Sequence, residues 1–383
     1  MKNSRGILAL CNAFNARGYT TDLELKYNLT NPPEIDMSPV AASAGSNPDN
    51  FWILDNDEGL LHNYQRIFNF SIFPNGPASK LVSRLYTGNK RLYVAPGAPA
   101  GDGSPNFNND GFFILQDFEW TNFDNEDFDN YKDITAIIED PSDPTHFYAS
   151  AYGVGILEFK DDVFVRLINS ESTDGAMPSY NSTGDHRVVD FSADPYGNIW
   201  FTNSLAEKSL CRINPKDGTV HCFSLGSAAT SGTDARELLY TSQDQVWIQV
   251  TNSGVVVADA STAIDASPDE LTAKKLLTSE GSGNLPSDRI TAFAEDLDGE
   301  IWIGSIEGIS VLYSPQNIFE NNRNYDASII VIPNDDGTGS RVLGGEVVND
   351  IAIDGSNKKW FGTQTSGVFY LSENGQEEIE HFT

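Results

Sequence analysis

Apolar and polar residues alternate along most of this chain in short runs broken by Gly, Asp, Asn and Pro, the period-2 pattern of strands with one buried face. Four stretches superpose with almost no adjustment: VVDFSADPYGNIWFTN from Val188, RELLYTSQDQVWIQV from Arg236, ITAFAEDLDGEIWIGSIEGISVL from Ile290 and VNDIAIDGSNKKWFGT from Val348. Each is an alternating strand, a polar turn and a second strand carrying a tryptophan, namely Trp200, Trp247, Trp302 and Trp360. A third strand follows most of them (SLCRI, GVVVAD, GISVLY, GVFYLS), and often a fourth, as in VHCFSL and EIEHFT. Four antiparallel strands per unit is the content of a propeller blade.

Weaker copies lie upstream, with Phe147, Tyr93 and Trp52 at the marker position. The expected fold is therefore all-β: a seven-bladed β-propeller of four-stranded antiparallel blades over residues 31–383. The markers are unevenly spaced, and the excess over roughly 40–50 residues per blade falls in loops. Residues 1–30 read as an N-terminal segment. Within it TTDLELKYN, residues 20–28, is expected to supply a ring-closing strand to the last blade, because an open fan leaves a bare sheet edge.

A large ring on the second strand fills the wedge that opens between neighbouring sheets. The phrase D-L-D-G-E at 296–300 has the alternating acids of a calcium loop, but its counterparts are DPYGN, DGSNK and SQDQ, with changing acids. It is expected to be a tight turn, with Gly at positive φ and Asp side chains bonding nearby backbone N–H groups. No cofactor is expected, calcium being the one ion the acidic chain leaves open.

Composition narrows the functional classes. With 24 Lys+Arg against 55 Asp+Glu the formal charge is -31, a field that repels phosphate backbones, so nucleic-acid binding is not expected. No apolar run reaches the 18 or so residues of a membrane-spanning helix. Lys2 and Arg5 before GILALCNAF outline a secretory signal only faintly, and Met1 is read as a start within a longer protein.

Candidate chemistry is sparse. The five histidines, His62, His146, His186, His221 and His381, show no metal-ligand spacing, and no nucleophile motif is present. The densest mixture of rings and carboxylates is DFEWTNFDNEDFDNY, residues 117–131. There Trp120, Phe123, Phe128 and Tyr131 are candidates to stack on a sugar or a partner, with an outer strand and acidic loop as the alternative. Four long turn-rich inserts, 97–111, 171–187, 260–275 and 321–341, add Tyr180 and Tyr325, since loops on a rigid scaffold carry recognition.

In CRINPKDGTVHC a four-residue P-K-D-G turn pairs Asn214 with Thr219, Ile213 with Val220, Arg212 with His221 and Cys211 with Cys222. The parity makes the cysteines a non-hydrogen-bonded pair, whose side chains approach most closely. A disulfide between them is expected in an oxidising compartment, with two reduced cysteines on a half-buried hairpin as the alternative; Cys11 stays unpaired.

At 290–312, and again at 348–371, the chain resembles the two-component-regulator propeller repeat of Bacteroidetes proteins, I-x-A-I-x-E-D-x-D-G-x-I-W-I-G-T-x-x-G-L. With ITAIIEDPSDPTHFYASAYGVGILEF and the uneven loops, it is similar within that family to the propeller component of the type IX secretion attachment complex. That resemblance implies a periplasmic or cell-surface protein without catalytic activity, a platform that recognises or assembles with envelope protein subunits or a surface glycan such as lipopolysaccharide. The other family members imply an alternative, a periplasmic glycan-sensing domain of a hybrid two-component system. The unit DPYGNIWFTNSLAEKSLCRINPKDGTVHCF also resembles a streptogramin-lyase repeat, which implies a lyase or hydrolase as a third reading; His186 and His221 lie near the relevant unit.

Overall fold

The structure, a computed structural model, describes all residues except 1, 5–6, 13–14, 31–37, 45–49, 57–58, 65–66, 73–74, 102, 265 and 334–338. The chain divides into two units, Met1–Pro77 and Ala78–Thr383. In the first, sheet A is built from Lys2–Ser4, Ile7–Asn12, Asn15–Thr20 and Leu25–Thr30, and sheet B from Pro39–Ala44, Asn50–Asp55, Leu60–Tyr64 and Ile67–Ile72.

The second unit contains six four-stranded sheets. Sheet C comprises Arg84–Thr87, Arg91–Ala95, Phe112–Gln116 and Glu119–Phe123; sheet D, Ile134–Asp140, Asp143–Ala151, Gly155–Lys160 and Val163–Ile168. Sheet E comprises Val188–Ala193, Ile199–Asn203, Leu210–Asn214 and Thr219–Phe223; sheet F, Ala235–Tyr240, Gln245–Val250, Val255–Asp259 and Ala273–Leu276. Sheet G comprises Ile290–Glu295, Ile301–Ser305, Gly308–Leu312 and Ser328–Ile329; sheet H, Val348–Ile353, Lys359–Thr363, Val368–Leu371 and Glu378–Phe382. Every one of the eight is an antiparallel meander in chain order, the blade architecture that the repeat predicts.

The described residues thus hold eight four-stranded sheets where seven were expected. Sheet A accounts for the difference. The strand expected at 20–28 is Leu25–Thr30, which pairs with Asn15–Thr20, while sheet H draws all four strands from its own stretch of chain. Residues 2–30 carry neither a marker tryptophan nor a D-x-D-G turn, so the repeat does not reveal them as a sheet. The boundary placed at residue 31 lies outside the described residues.

The cores of the second unit lie between successive sheets. Tyr93 packs between C and D, Trp200 between E and F, Trp247 between F and G, and Trp302 between G and H. Trp360 stacks on Tyr370 of its own sheet, with ring centroids 4.1 Å apart.

In sheet D the marker is Tyr148, not Phe147. Phe147 points back into the C/D core, whereas Tyr148 points forward into the D/E core, as Trp200 points forward from sheet E. Two more residues separate Asp140 from Tyr148 than separate Asp296 from Trp302, taken up by a bulge between the pairs Glu139↔Phe147 and Asp140↔Asp143, and in a strand a one-residue slip exchanges the faces.

The D-x-D-G turns are structural. Asp296 Oδ1 accepts the backbone N–H groups of Asp298 (3.0 Å) and Glu300 (2.9 Å), Oδ2 accepts Trp302 Nε1–H (3.0 Å), and Gly299 has φ 79°. Asp194 and Trp200 repeat the arrangement with Gly197 at φ 90°. Lys359, buried in the neighbouring sheet H, adds a 3.0 Å ion pair to Asp296. Together with the hydrogen bonds, and against the effect of burial, it holds the Asp296 carboxyl below its ordinary range. Both oxygens of Asp296, the first acid of the calcium-like phrase, are thus engaged by the protein.

Candidate functional site

Meander geometry sorts the inserts. Second-to-third connections and the crossings to the next sheet lie at one end of the blades, and the remaining connections lie at the other. Insert 97–111 joins the second and third strands of sheet C, and insert 171–187 crosses from D to E, so both lie at the same end. Insert 260–275 joins the third and fourth strands of F and lies at the opposite end.

Two features occupy the first end. One is made by the innermost strands. In sheets D to H each first strand has a register shift just after its opening residue, between Ile134 and Ile137, Val188 and Phe191, Ala235 and Leu238, Ile290 and Ala292, and Val348 and Asp350. A bulge re-aims side chains out of the ladder. The third repeat position at these bulges is Ala136, Asp190, Glu237, Ala292 or Asp350, and its counterpart in sheet C is Arg84.

Arg84 and Asp190 form a 3.0 Å ion pair, and Leu238 donates its backbone N–H to Asp190 (2.9 Å). A cavity of about 400 Å³ opens here among Arg84, Glu237, Gln249, Thr291, Asn349 and Asp350. Burial pushes the half-buried Glu237 carboxyl up to about 8, with Arg84 opposing and Asp190 and Asp350 reinforcing the shift. Burial also raises Asp190, against the pull of Arg84. For Glu237 and Asp190, burial outweighs the attraction of Arg84 and favours the protonated form.

The second feature is an aromatic pocket between sheets C and D, about 490 Å³ in volume. Its lining includes Phe107 from the first insert, Tyr131 from the C-to-D crossing, Tyr152 from the end of the second strand of D, and Tyr180 from insert 171–187. Arg187 fastens the two inserts together. Its guanidinium lies 4.4 Å from the Tyr180 ring centre and 5.4 Å from that of Tyr152, and it donates to Gly103 O (2.5 Å) and to Tyr180 Oη (3.0 Å). Tyr152 O–H donates to the same Gly103 carbonyl at 2.8 Å. Beneath, Asp133 accepts the backbone N–H groups of Phe107 and Asn108, both at 2.7 Å, which fixes the loop in place.

The aromatic candidates separate accordingly. Tyr131 and Tyr180 come together in this pocket. Phe123 and Phe128 do not: they are buried in the C/D core, where Phe123, the last residue of the outermost strand of C, stacks on Phe112 with centroids 4.5 Å apart, and Phe128 is carried inward by the single 3-10 turn of residues 125–128. Trp120 is half-buried on the outermost strand of C. Tyr325 packs against the F/G core in the third-to-fourth connection of G, at the far end, with Lys274 Nζ 4.9 Å from its ring centre. Phe107 and Tyr152 are aromatic lining residues that sequence reasoning missed, as is Arg187, which holds Tyr180 in place. The signal available was Tyr152 at a strand end, directly before Gly153.

The Cys211–Cys222 hairpin has the register read from sequence, residue for residue from Asn214↔Thr219 to Cys211↔Cys222, and the two sulfurs are bonded across a Cα separation of 4.0 Å. Cys11 is unpaired. The histidines are dispersed: His146 lies between Asp140 (3.0 Å) and Glu158 (2.9 Å), His186 is buried, and His221 bonds Pro268 O. Among the described residues no group of three His, Cys, Asp or Glu side chains could hold a metal ion.

No protein-family model and no curated protein matches the chain. Among solved structures it is similar to PorZ, an essential bacterial surface component of the type IX secretion system of Porphyromonas gingivalis, with a TM-score of 0.80 and 22% identity. The match covers 99% of this chain and 51% of PorZ, so the chain spans about half of that protein's length. An extracellular domain of a two-component system from B. thetaiotaomicron matches at TM-score 0.44 and 13% identity, over 99% of this chain and 56% of the other. A streptogramin B lyase matches at 0.49 and 13%, over 80% and 85%. This chain therefore has the propeller fold found in PorZ, the likeness that its repeats at 290–312 and 348–371 carry in sequence.

Proposed function

We propose that the chain is a recognition and assembly platform of the cell envelope, a non-enzymatic propeller region of a type IX secretion attachment protein at the periplasm or cell surface. The observation that carries this reading is the aromatic pocket: two long inserts meet at one end of rigid blades and are fastened to each other through Arg187. Preformed concave sites of that kind serve binding. PorZ is itself a surface component of a secretion system, and a disulfide suits an oxidising compartment. The dispersal of the histidines favours binding over catalysis. Partners are envelope protein subunits or a surface glycan such as lipopolysaccharide. With a charge of -31, an anionic glycan would require divalent cations to bridge it to the protein.

The test is a pulldown of the purified chain from envelope extract, with and without calcium, analysed by mass spectrometry for proteins and glycans. Recovery of secretion-complex subunits or lipopolysaccharide is the expected result, and dependence on calcium would identify bridging cations. Recovery of a free oligosaccharide alone would transfer the assignment to glycan sensing, and an empty pulldown would overturn it.

A further inference from the structure

The polar groups lining the aromatic pocket are largely engaged before any ligand arrives. Asp133 uses both oxygens on backbone N–H groups, and Asp185 accepts Asn181 Nδ2–H (2.8 Å) and Thr183 Oγ1–H (3.0 Å). The hydroxyls of Tyr152 and Tyr180 are taken by Gly103 O and Arg187. What remains is mainly ring and aliphatic surface: Phe107, two-thirds exposed, with Tyr131, Tyr152, Tyr180, Val154 and Pro105. A sugar ring carries hydroxyls around its rim, and each buried hydroxyl without a partner costs free energy. An aromatic side chain has no such requirement and gains from offset or edge-on contact with other rings. Beside the pocket the rim carries acids that outnumber the one exposed cation of the lining, Lys132. The turn Asn125–Phe128 leads directly into Asn130 and Tyr131 of the lining, and Glu126 and Asp129 are exposed there.

We propose that this pocket receives an aromatic side chain carried by a basic segment of a protein partner. The proposal rests on the recognition reading above and names the chemistry of the partner. A buried aromatic anchor with a charged rim is how few residues supply most of an interface's affinity, while the rim mainly sets the association rate and its salt dependence. Within the stretch 117–131, Phe123 and Phe128 hold the crossing to sheet D in the core, and Glu126 and Asp129 face the incoming chain, whereas Asp117 and Glu119 lie at the opposite end of the blade.

The probe is the peptide acetyl-Arg-Trp-Arg-amide, titrated into the full chain and followed by saturation transfer to its indole protons, with acetyl-Arg-Ala-Arg-amide as control. We expect saturable binding of the Trp peptide at least tenfold tighter than the control. Phe107→Asn, which suits the left-handed backbone at that position (φ 58°), should weaken it about tenfold. The pair Glu126→Gln and Asp129→Asn should weaken it severalfold at low salt and little at high salt. Equal binding of both peptides, affinity unchanged in Phe107→Asn, or no binding below about 10 mM would overturn the proposal. So would maltotriose binding that Phe107→Asn abolishes, since that assigns the pocket to a sugar. If the envelope pulldown succeeds equally with wild type and Phe107→Asn, the recognition reading survives and this inference does not.

Discussion

Glu237 stands at the repeat position where two other blades have alanine, Ala136 and Ala292, and there it meets Arg84, Asp190 and Asp350. Its folded value, about 8, lies above the ordinary 4.5. Between those limits the native state holds a proton that the unfolded chain has lost, so the contribution of Glu237 to stability declines as pH rises through the window. Glu237→Gln should flatten the fall in urea midpoint between pH 5 and pH 8, and an unchanged slope would refute the assignment. Lys359 is the opposite kind of residue, a buried cation between Asp296 and Asn357 O (2.7 Å) whose Nζ lies 4.9 Å from the centre of the Trp302 ring. Lys359→Ala leaves the Asp296 carboxylate buried without its partner. A loss of about 3–5 kcal/mol is expected; equilibrium denaturation measures it, and a loss below about 1 kcal/mol would contradict the pairing.

At the scale of elements, the hairpin Leu210–Asn214 to Thr219–Phe223 is the outer half of sheet E, closed by a disulfide eleven residues apart in sequence. Such a short loop implies about 2–4 kcal/mol of stabilisation from the cross-link. Reductant should lower the denaturation midpoint of the wild type and leave Cys211→Ala/Cys222→Ala unaffected; equal responses would show that the bond contributes nothing. This hairpin was fully legible in the sequence, because a two-ended turn and strict alternation fix register locally. The marker of sheet D was not. Asp140 and Asp143 pair across a tight turn and the residues after Asp143 bulge out of the ladder, so the faces of Phe147 and Tyr148 depend on residues that the repeat template cannot align.

For the whole molecule, a formal charge of -31 works against a compact fold through self-repulsion. Raising NaCl from about 20 mM to about 500 mM shortens the screening length severalfold, and the urea midpoint should rise. A flat or falling midpoint would mean that local ion pairs such as Arg84–Asp190 outweigh the net field. The same charge favours cationic partners over phosphate-rich ones, in keeping with the acidic rim beside Tyr131.

Contiguous sequence by itself determined the strands, the four-strand unit, the Asp-centred turns and the pairing of Cys211 with Cys222, because alternation and turn chemistry reside in neighbouring residues. Tertiary structure alone decided the rest. Phe123 and Phe128 look like Tyr131 in sequence, yet the end of an outer strand and the 3-10 turn after it send them into the core and leave Tyr131 at the pocket. Arg84, Asp190, Glu237 and Asp350 are far apart along the chain and meet only because the sheets bring the same position of their first strands together. Phe107, Tyr152, Tyr180 and Arg187 join for the same physical reason: meander connections at one end of neighbouring blades are close in space, whatever their separation in sequence.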